Sequence, residues 1–159
     1  MEVGENSYME MDTAQIKGVD STIRKTTVKL DKNASIKVME RLMTHGEQRA
    51  ESHFVVDLNG ENSGANIISR SVAKDNSYQL FQSVLNGNEM CSGHTECDAI
   101  IVGNAKISSI PEITANNSDA ALIHEAAIGK IAGEQIIKLM TLGLTEEEAE
   151  EQIISGFLK

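Results

Sequence analysis

Two cysteines and a histidine recur at three-residue steps in the segment Cys91-Ser-Gly-His94-Thr-Glu-Cys97. Thiolates and imidazoles are the ligands of zinc and of iron–sulfur clusters. In a continuous strand, however, positions 91 and 97 share one face and position 94 points to the other. The three side chains converge on one ion only if the chain turns near Gly93. The alternative is that Cys97 begins a buried strand, because free cysteines are often buried.

His124 and Glu125 are adjacent titratable residues and form a second candidate site. Histidine titrates near neutral pH and is the commonest metal ligand. The neighbouring carboxylate would tune the imidazole, or would lie at a helix N-terminus, where the helix dipole favours negative charge. The structural alternative is that His124 packs at a strand end and Glu125 is only a first-turn acid.

The sequence argues against several classes of enzyme. Gly129 and Gly133 lie four residues apart but lack the Lys-Ser/Thr ending of a phosphate-binding loop. No Ser-His-Asp or Cys-His set is legible. A carbohydrate-active enzyme would need paired acids or an aromatic platform, and aromatic residues make up 3% of the chain. We therefore expect a protein that binds and assembles and is not an enzyme.

The composition of the chain limits the kinds of partner and the cellular compartment that we expect. The 159 residues suffice for a domain with a hydrophobic core. The net charge of −10 argues against binding to nucleic acid. No apolar run approaches the ~18 residues that cross a bilayer, and the polar, acidic start is not a secretion signal. Two cysteines do not make a disulfide framework, so we expect a cytoplasmic protein with reduced thiols and no membrane partner.

Strand-like runs must position most of these residues. In the second run, Ile36, Val38 and Glu40 are predicted to share one face. Turn residues recur every 11 to 16 positions from Asn33 to Asn117, which is typical of repetitive all-β structure. An antiparallel sandwich and a β-solenoid both give this rhythm. The seven runs cover residues 21–30, 34–43, 48–58, 64–73, 77–86, 97–103 and 106–115.

A helical pattern follows the strands. Apolar residues from Ile128 to Leu139 recur at three- and four-residue steps, which predicts an amphipathic helix that Gly143 ends. Thr145 and Glu148 have the spacing of a capping box for a second helix. The predicted division is a β region over residues 1–119 and a helical subdomain over residues 120–159.

The C-terminal residues resemble the signature of the SufB/SufD family, the scaffold proteins of SUF iron–sulfur cluster assembly. The resemblance rests on His-Glu-Ala at 124–126, Glu134-Gln135, Leu-Gly-Leu at 142–144, the Thr-Glu-Glu-Glu-Ala run at 145–149 and Gly156-Phe157. Residues 97–117 are similar to the last β-helix turns of the family, including a Cys-Asp pair and a Pro-x-Ile strand. The resemblance covers nearly the whole chain but only the C-terminal part of a typical, longer member.

This resemblance implies a right-handed parallel β-helix followed by a C-terminal helical pair. It also implies docking of a SufC-type ABC ATPase on the helices, and a homodimer or a SufB/SufD-like heterodimer through the β-helix. The resemblance further implies a sulfur donor protein as a partner and a transient iron–sulfur cluster as the cofactor. His124 matches the functional histidine of the family, and Glu125 matches a carboxylate that takes part in forming the cluster.

One segment departs from the family pattern. The SufB branch has an essential cysteine in a Cys-Gly-x-His-Thr run, whereas residues 105–109 here read Ala-Lys-Ile-Ser-Ser. Either Cys97, or else Cys91, takes the place of that cysteine, or the chain is a SufD-like or divergent subunit that relies on another thiol. Cys97, His124 and Glu125 are the predicted cluster-binding residues, with Cys91 as a further metal ligand. The alternative function is a β-solenoid interaction module that binds the ATPase without carrying a cluster.

Overall fold

The computed structural model of the chain describes residues 1–16 and 18–159. The chain winds into stacked coils, and two parallel sheets form the opposing walls of the solenoid. Sheet A consists of β1 (Glu2–Val3), β3 (Ser21–Leu30), β5 (Arg49–Leu58), β7 (Tyr78–Gly87) and β9 (Lys106–Ala115). Sheet B consists of β2 (Tyr8–Gln15), β4 (Ser35–Thr44), β6 (Ser63–Ala73), β8 (Cys91–Ile101) and β10 (Ala121–Lys130).

Each strand pairs in parallel with the strand one coil away in the same sheet. One column of sheet B runs from Val38 through Ile67 and Thr95 to His124, and its members are 28 or 29 residues apart. The parallel register confirms the predicted β-helix and excludes the antiparallel sandwich that the turn spacing had left open. The seven predicted strand runs correspond to strands β3 to β9, of which β8 begins six residues earlier than predicted.

Alternation along each strand divides the side chains between an interior and an outer face. In β4 every second residue is buried, including Ile36, Val38 and Glu40, as the sequence pattern predicted. Each coil therefore contributes aliphatic side chains to one continuous core between the two sheets. The core includes Val28, Leu30, Val38, Phe54, Val56, Leu58, Ile67, Phe81 and Leu85.

A charged residue also lies inside the core. Glu40 is 1% exposed, and its two carboxylate oxygens accept hydrogen bonds from Ser52 Oγ at 2.6 Å and Ser69 Oγ at 2.8 Å. Arg24 forms an ion pair with the same carboxylate. Burial of an unpaired carboxylate would be strongly unfavourable, so these three partners explain how an acid is accommodated between the sheets.

The corners of the coils stack as regularly as the strands. Asn6, Asn33 and Asn62 all have positive φ values. Asn33 Nδ2 donates to Asn6 Oδ1 at 2.9 Å, and Asn62 Nδ2 donates to Asn33 Oδ1 at 3.3 Å. Gly60 lies in the same turn as Asn62, and a Cβ atom there would come within 2.0 Å of the backbone nitrogen of Lys32. These turn residues fix where each coil bends and hence which side chains share a column.

Two helices follow the solenoid, α1 (Gly133–Met140) and α2 (Glu146–Phe157). The predicted capping box is confirmed, because Thr145 Oγ1 accepts from the Glu148 nitrogen and Glu148 Oε2 accepts from the Thr145 nitrogen. The first helix begins later than the periodicity suggested. Residues 121–130 form strand β10, and Ile128 pairs with Ala99 of β8, so the helical part starts at Gly133 rather than at residue 120.

The last coil, like the first, is more exposed than the middle coils. Strands β9 and β10 are the outer strands of their sheets, and several of their isoleucines are accessible, namely Ile110, Ile113, Ile123 and Ile128. Helix α2 packs back on the solenoid through buried Ala149 and Ile154 and an ion pair between Lys74 and Glu150. Within the described residues, no helix is long and apolar enough to cross a membrane.

Candidate functional site

The candidate residues lie on two adjacent strands at the C-terminal end of sheet B. Strand β8 carries Cys97, and β10 carries His124 and Glu125. The parallel register sets His124 beside Thr95 and Glu125 beside Glu96. Because side chains alternate along a strand, His124 projects toward the interior and Glu125 toward the outer surface. The two neighbours in sequence therefore belong to different sites.

On the interior side, His124 lies close to Cys97. Cys97 is 1% exposed and pairs with Ala126, two residues beyond His124. Strand spacing places the Cα atoms of Cys97 and His124 about 8 Å apart on the same face. A thiolate and an imidazole at this separation are able to serve as ligands of one metal ion or one cluster.

The neighbouring strand β8 orients the imidazole of His124. Its Nδ1 lies 2.7 Å from Thr95 Oγ1, and that oxygen also accepts a hydrogen bond from Ser83 Oγ at 3.3 Å. In the tautomer in which Nδ1 donates its proton to Thr95 Oγ1, the lone pair of Nε2 is left to coordinate a metal. Burial, followed by the charge of His94, lowers the pKa of His124 below 6.5. The neutral ring, which is the form that binds metals, is therefore favoured at neutral pH.

The thiol of Cys97, in β8, is shielded from solvent. Burial is the main cause that raises its pKa, and the charge of Asp98 adds to the rise, while the hydroxyl of Ser109 partly opposes it. Ser109 belongs to β9, in the segment where the family motif would place histidine and threonine. Because the protonated thiol is favoured, a metal must displace a proton before Cys97 can coordinate it.

Cys91 is separated from this interior pair. It faces the interior like Cys97, but six residues of extended strand place the two Cα atoms about 20 Å apart. His94, between them, points to the outer face. The three residues of the Cys-His-Cys segment therefore do not converge on one ion, and Cys91 cannot join Cys97 and His124. Both cysteines are free thiols.

The outer face of β8 and β10 carries a second group that the sequence did not reveal. His94 Nε2 lies 3.1 Å from Glu125 Oε2, and His94 Nδ1 lies 3.1 Å from Asn66 Oδ1 of β6. Glu96 lies beside Glu125 in the register. The signal that could have identified this group is the coil length, because residues 96 and 125 are one 29-residue repeat apart.

Comparison with known proteins agrees with this architecture. The family model of the SUF system for iron–sulfur cluster assembly, SufBD core domain, matches residues 1–157. The chain belongs to the SufBD family. An iron–sulfur cluster assembly SufBD family protein of Methanocaldococcus jannaschii is 39% identical over 80% of this chain and 40% of its own length. Another, from Pyrococcus horikoshii, is 32% identical over 99% of this chain and 58% of its own length.

The SufBD relatives also include bacterial proteins. A member from Staphylococcus saprophyticus is 33% identical over 62% of this chain and 22% of its own length. The chain thus spans about half the length, or less, of these curated relatives. Its match is to the SufBD core, which coincides with the solenoid and the two helices described above.

Proposed function

We propose that this SufBD chain is a cytoplasmic, non-catalytic scaffold subunit on which an iron–sulfur cluster is assembled. The observation that carries the proposal is the placement of Cys97 and His124 on the interior face of the last coils of a SufBD core. In this proposal Cys97 provides the thiolate and His124 Nε2 provides a nitrogen ligand. Glu125 points to the outer face and does not reach a metal held by Cys97 and His124. In this proposal Glu125 therefore binds at a separate position.

Two surfaces support the proposed partners. Ile137 and Leu142, in and just after α1, are 62% and 73% exposed, and an apolar patch of this kind is typical of a docking surface. We propose that a SufC-type ABC ATPase binds there. The unpaired edges of β9 and β10 suit pairing with a second solenoid, so the proposed dimer, homomeric or SufB/SufD-like, forms at the last coil.

Anaerobic reconstitution with iron and sulfide tests the cluster ligands. The double variant Cys97→Ala, His124→Ala is expected to lose most of the visible absorbance and the bound iron and sulfide of the wild type. Cys91→Ala is the matched control, because it removes a buried thiol on the same face about 20 Å away. Equal cluster content in the double variant and the wild type would refute the proposed ligands.

The second candidate is an interaction module that binds the ATPase without carrying a cluster. The observation that favours it is the burial of Cys97, which is 1% exposed and whose pKa is raised by that burial, so that the protonated thiol is favoured. Pull-down with a SufC-type ATPase distinguishes the two functions. ATPase binding that depends on Ile137 and Leu142, combined with a failure to hold iron and sulfide under any reconstitution condition, would favour this candidate.

A further inference from the structure

Three potential metal ligands meet on the outer face of β8 and β10. His94 and Glu96 lie two residues apart on β8, and Glu125 lies beside Glu96 on β10. One ligand atom from each residue lies within 4.8 Å of the other two. We call His94, Glu96 and Glu125 the outer triad. Glu96 and His94 are half-buried and Glu125 is exposed, so a small ion from solvent has access to all three.

Hydrogen bonding orients the imidazole for this role. His94 Nδ1 lies 3.1 Å from the amide oxygen of Asn66, to which it donates in the tautomer that carries its proton on Nδ1. The other nitrogen, Nε2, faces the carboxylate of Glu125 at 3.1 Å. A proton on Nε2 makes this contact favourable, and a metal cation that takes the place of that proton would bind between the same two groups. Metal-binding histidines are held in this way by an acceptor on the far nitrogen.

The surrounding charges also favour a cation. Asp98 lies two residues from Glu96 on the same outer face of β8, and Arg70 of β6 lies beside Asp98 in the register. Counting Glu125, three carboxylates gather around one imidazole and one guanidinium. Close carboxylates repel each other unless a proton or a metal ion is shared. A metal ion at this position would relieve that repulsion.

We infer that the outer triad binds a divalent first-row transition metal ion. One imidazole nitrogen and two carboxylate oxygens are typical of iron, manganese, cobalt or zinc rather than of calcium or copper(I). Metal–ligand bonds of about 2.1 Å require ligand atoms about 3 to 3.5 Å apart, so the carboxylates close by about 1 Å. Glu125, with a side chain that is 67% exposed, is free to make this movement.

The outer triad is separate from the interior pair of Cys97 and His124. The backbones of β8 and β10 lie between the two groups, because alternate residues point to opposite faces. Metal binding by the outer triad does not depend on the proposed scaffold function. Only the identity of the natural ion depends on the scaffold function. If the chain assembles iron–sulfur clusters, the ion is ferrous iron, held on the face opposite the Cys97 thiol.

Cobalt(II) titration of the full chain, followed by visible absorbance and calorimetry, tests the inference. We expect one ion per wild-type chain, and a fall in affinity of at least about tenfold in His94→Ala and in the isosteric Glu96→Gln. His53→Ala is the matched control. His53 is also half-buried on an outer face, between Gln82 at 2.8 Å and Glu51 at 3.3 Å, so its loss should leave binding unchanged.

Two results would overturn the inference. One is undiminished cobalt binding in Glu96→Gln and His94→Ala, provided that circular dichroism shows both variants folded as the wild type. The other is loss of the ion in the Cys97→Ala, His124→Ala variant while His94→Ala retains it, which would place the metal on the interior face. Failure of cluster reconstitution alone leaves cobalt binding by the outer triad intact, so the two proposals fail separately.

Discussion

The middle of the solenoid and its last coil treat polar residues in opposite ways. In the middle, Glu40 is sealed between the sheets and bonded to Ser52, Ser69 and Arg24. In the last coil, His124 is held by Thr95 at Nδ1 while the rest of the ring lies at an open end of the core. A fully satisfied buried group supports the fold, whereas a group with a free coordinating atom is available for chemistry.

The largest effect should come from truncating the core of the middle coils. Phe54 is 1% exposed and its ring packs 5.9 Å from that of Phe81. Phe54→Ala should lower the free energy of unfolding by about 4 kcal/mol, because it leaves a cavity. Urea denaturation monitored by circular dichroism measures the change.

Ile113→Ala in the last coil is the control for that measurement. Its side chain is 43% exposed, so we expect a loss below about 1 kcal/mol. A loss as large as that of Phe54→Ala would mean that a second chain covers β9 under the conditions used. Dilution of the protein should then reduce the measured loss of stability.

The buried ion pair should give the next largest effect. Glu40→Ala leaves Arg24 and two serine hydroxyls without their partner, and should cost about 3 kcal/mol. Arg24 is partly exposed, which keeps the loss at the lower end of the range for buried pairs. Glu61→Ala breaks an exposed pair with Lys32 and should leave the denaturation midpoint unchanged. Similar results for the two variants would contradict the idea that the interior network supports the fold.

Removal of the helix cap should have a smaller and more local effect. Thr145→Ala eliminates the hydroxyl that accepts from Glu148, and should cost about 1 kcal/mol. Because α2 follows the last coil, amide hydrogen exchange should accelerate in α2 and remain slow in β4 to β7. Equal acceleration in both regions would show that the helices and the middle coils unfold as one unit.

The smallest effect concerns the thiols. Burial is the main cause that raises the pKa of both Cys91 and Cys97 above 9.0. The unfolded chain therefore loses these protons first as the pH rises, so the stability that they contribute is present below pH ~9 and is lost above it. Denaturation at pH ~7 and ~10 should show this decline.

The decline should be weaker in a Cys91→Ala, Cys97→Ala variant, when each protein is compared with itself at the two pH values. An equal decline with and without the cysteines would mean that the last coil does not shield them from solvent.

Much of the solenoid could be predicted from local patterns. Alternation identified β3 to β7, β9 and the interior position of Glu40, because strand periodicity depends on neighbouring residues alone. The start of α1 could not be predicted in the same way. Residues 121–130 are held in β10 by pairing with β8, a contact between residues 29 positions apart, and this pairing overrides the helical spacing of the apolar side chains.

The candidate site was predicted only in part, for the same reason. Cys97 and His124 could be selected by residue type and by family resemblance. The separation of His124 from Glu125 required knowing that both lie in a strand, and the outer triad required the register between coils. Residue spacing in the sequence therefore indicated the chemistry, whereas the strand register determined which side chains share a face.

The coil length also determines how this protein tolerates insertions and deletions. Corresponding residues of neighbouring coils are 27 to 29 positions apart, from Glu2 to Lys29 and from Arg49 to Tyr78 in sheet A for example. Deletion of one residue within a strand would exchange its interior and outer side chains. Loss or gain of a whole coil would keep every remaining side chain on its own face. Within the strands, length changes should therefore be accepted in whole coils and selected against in single residues, whereas the turns absorb the difference between 27, 28 and 29 residues per coil.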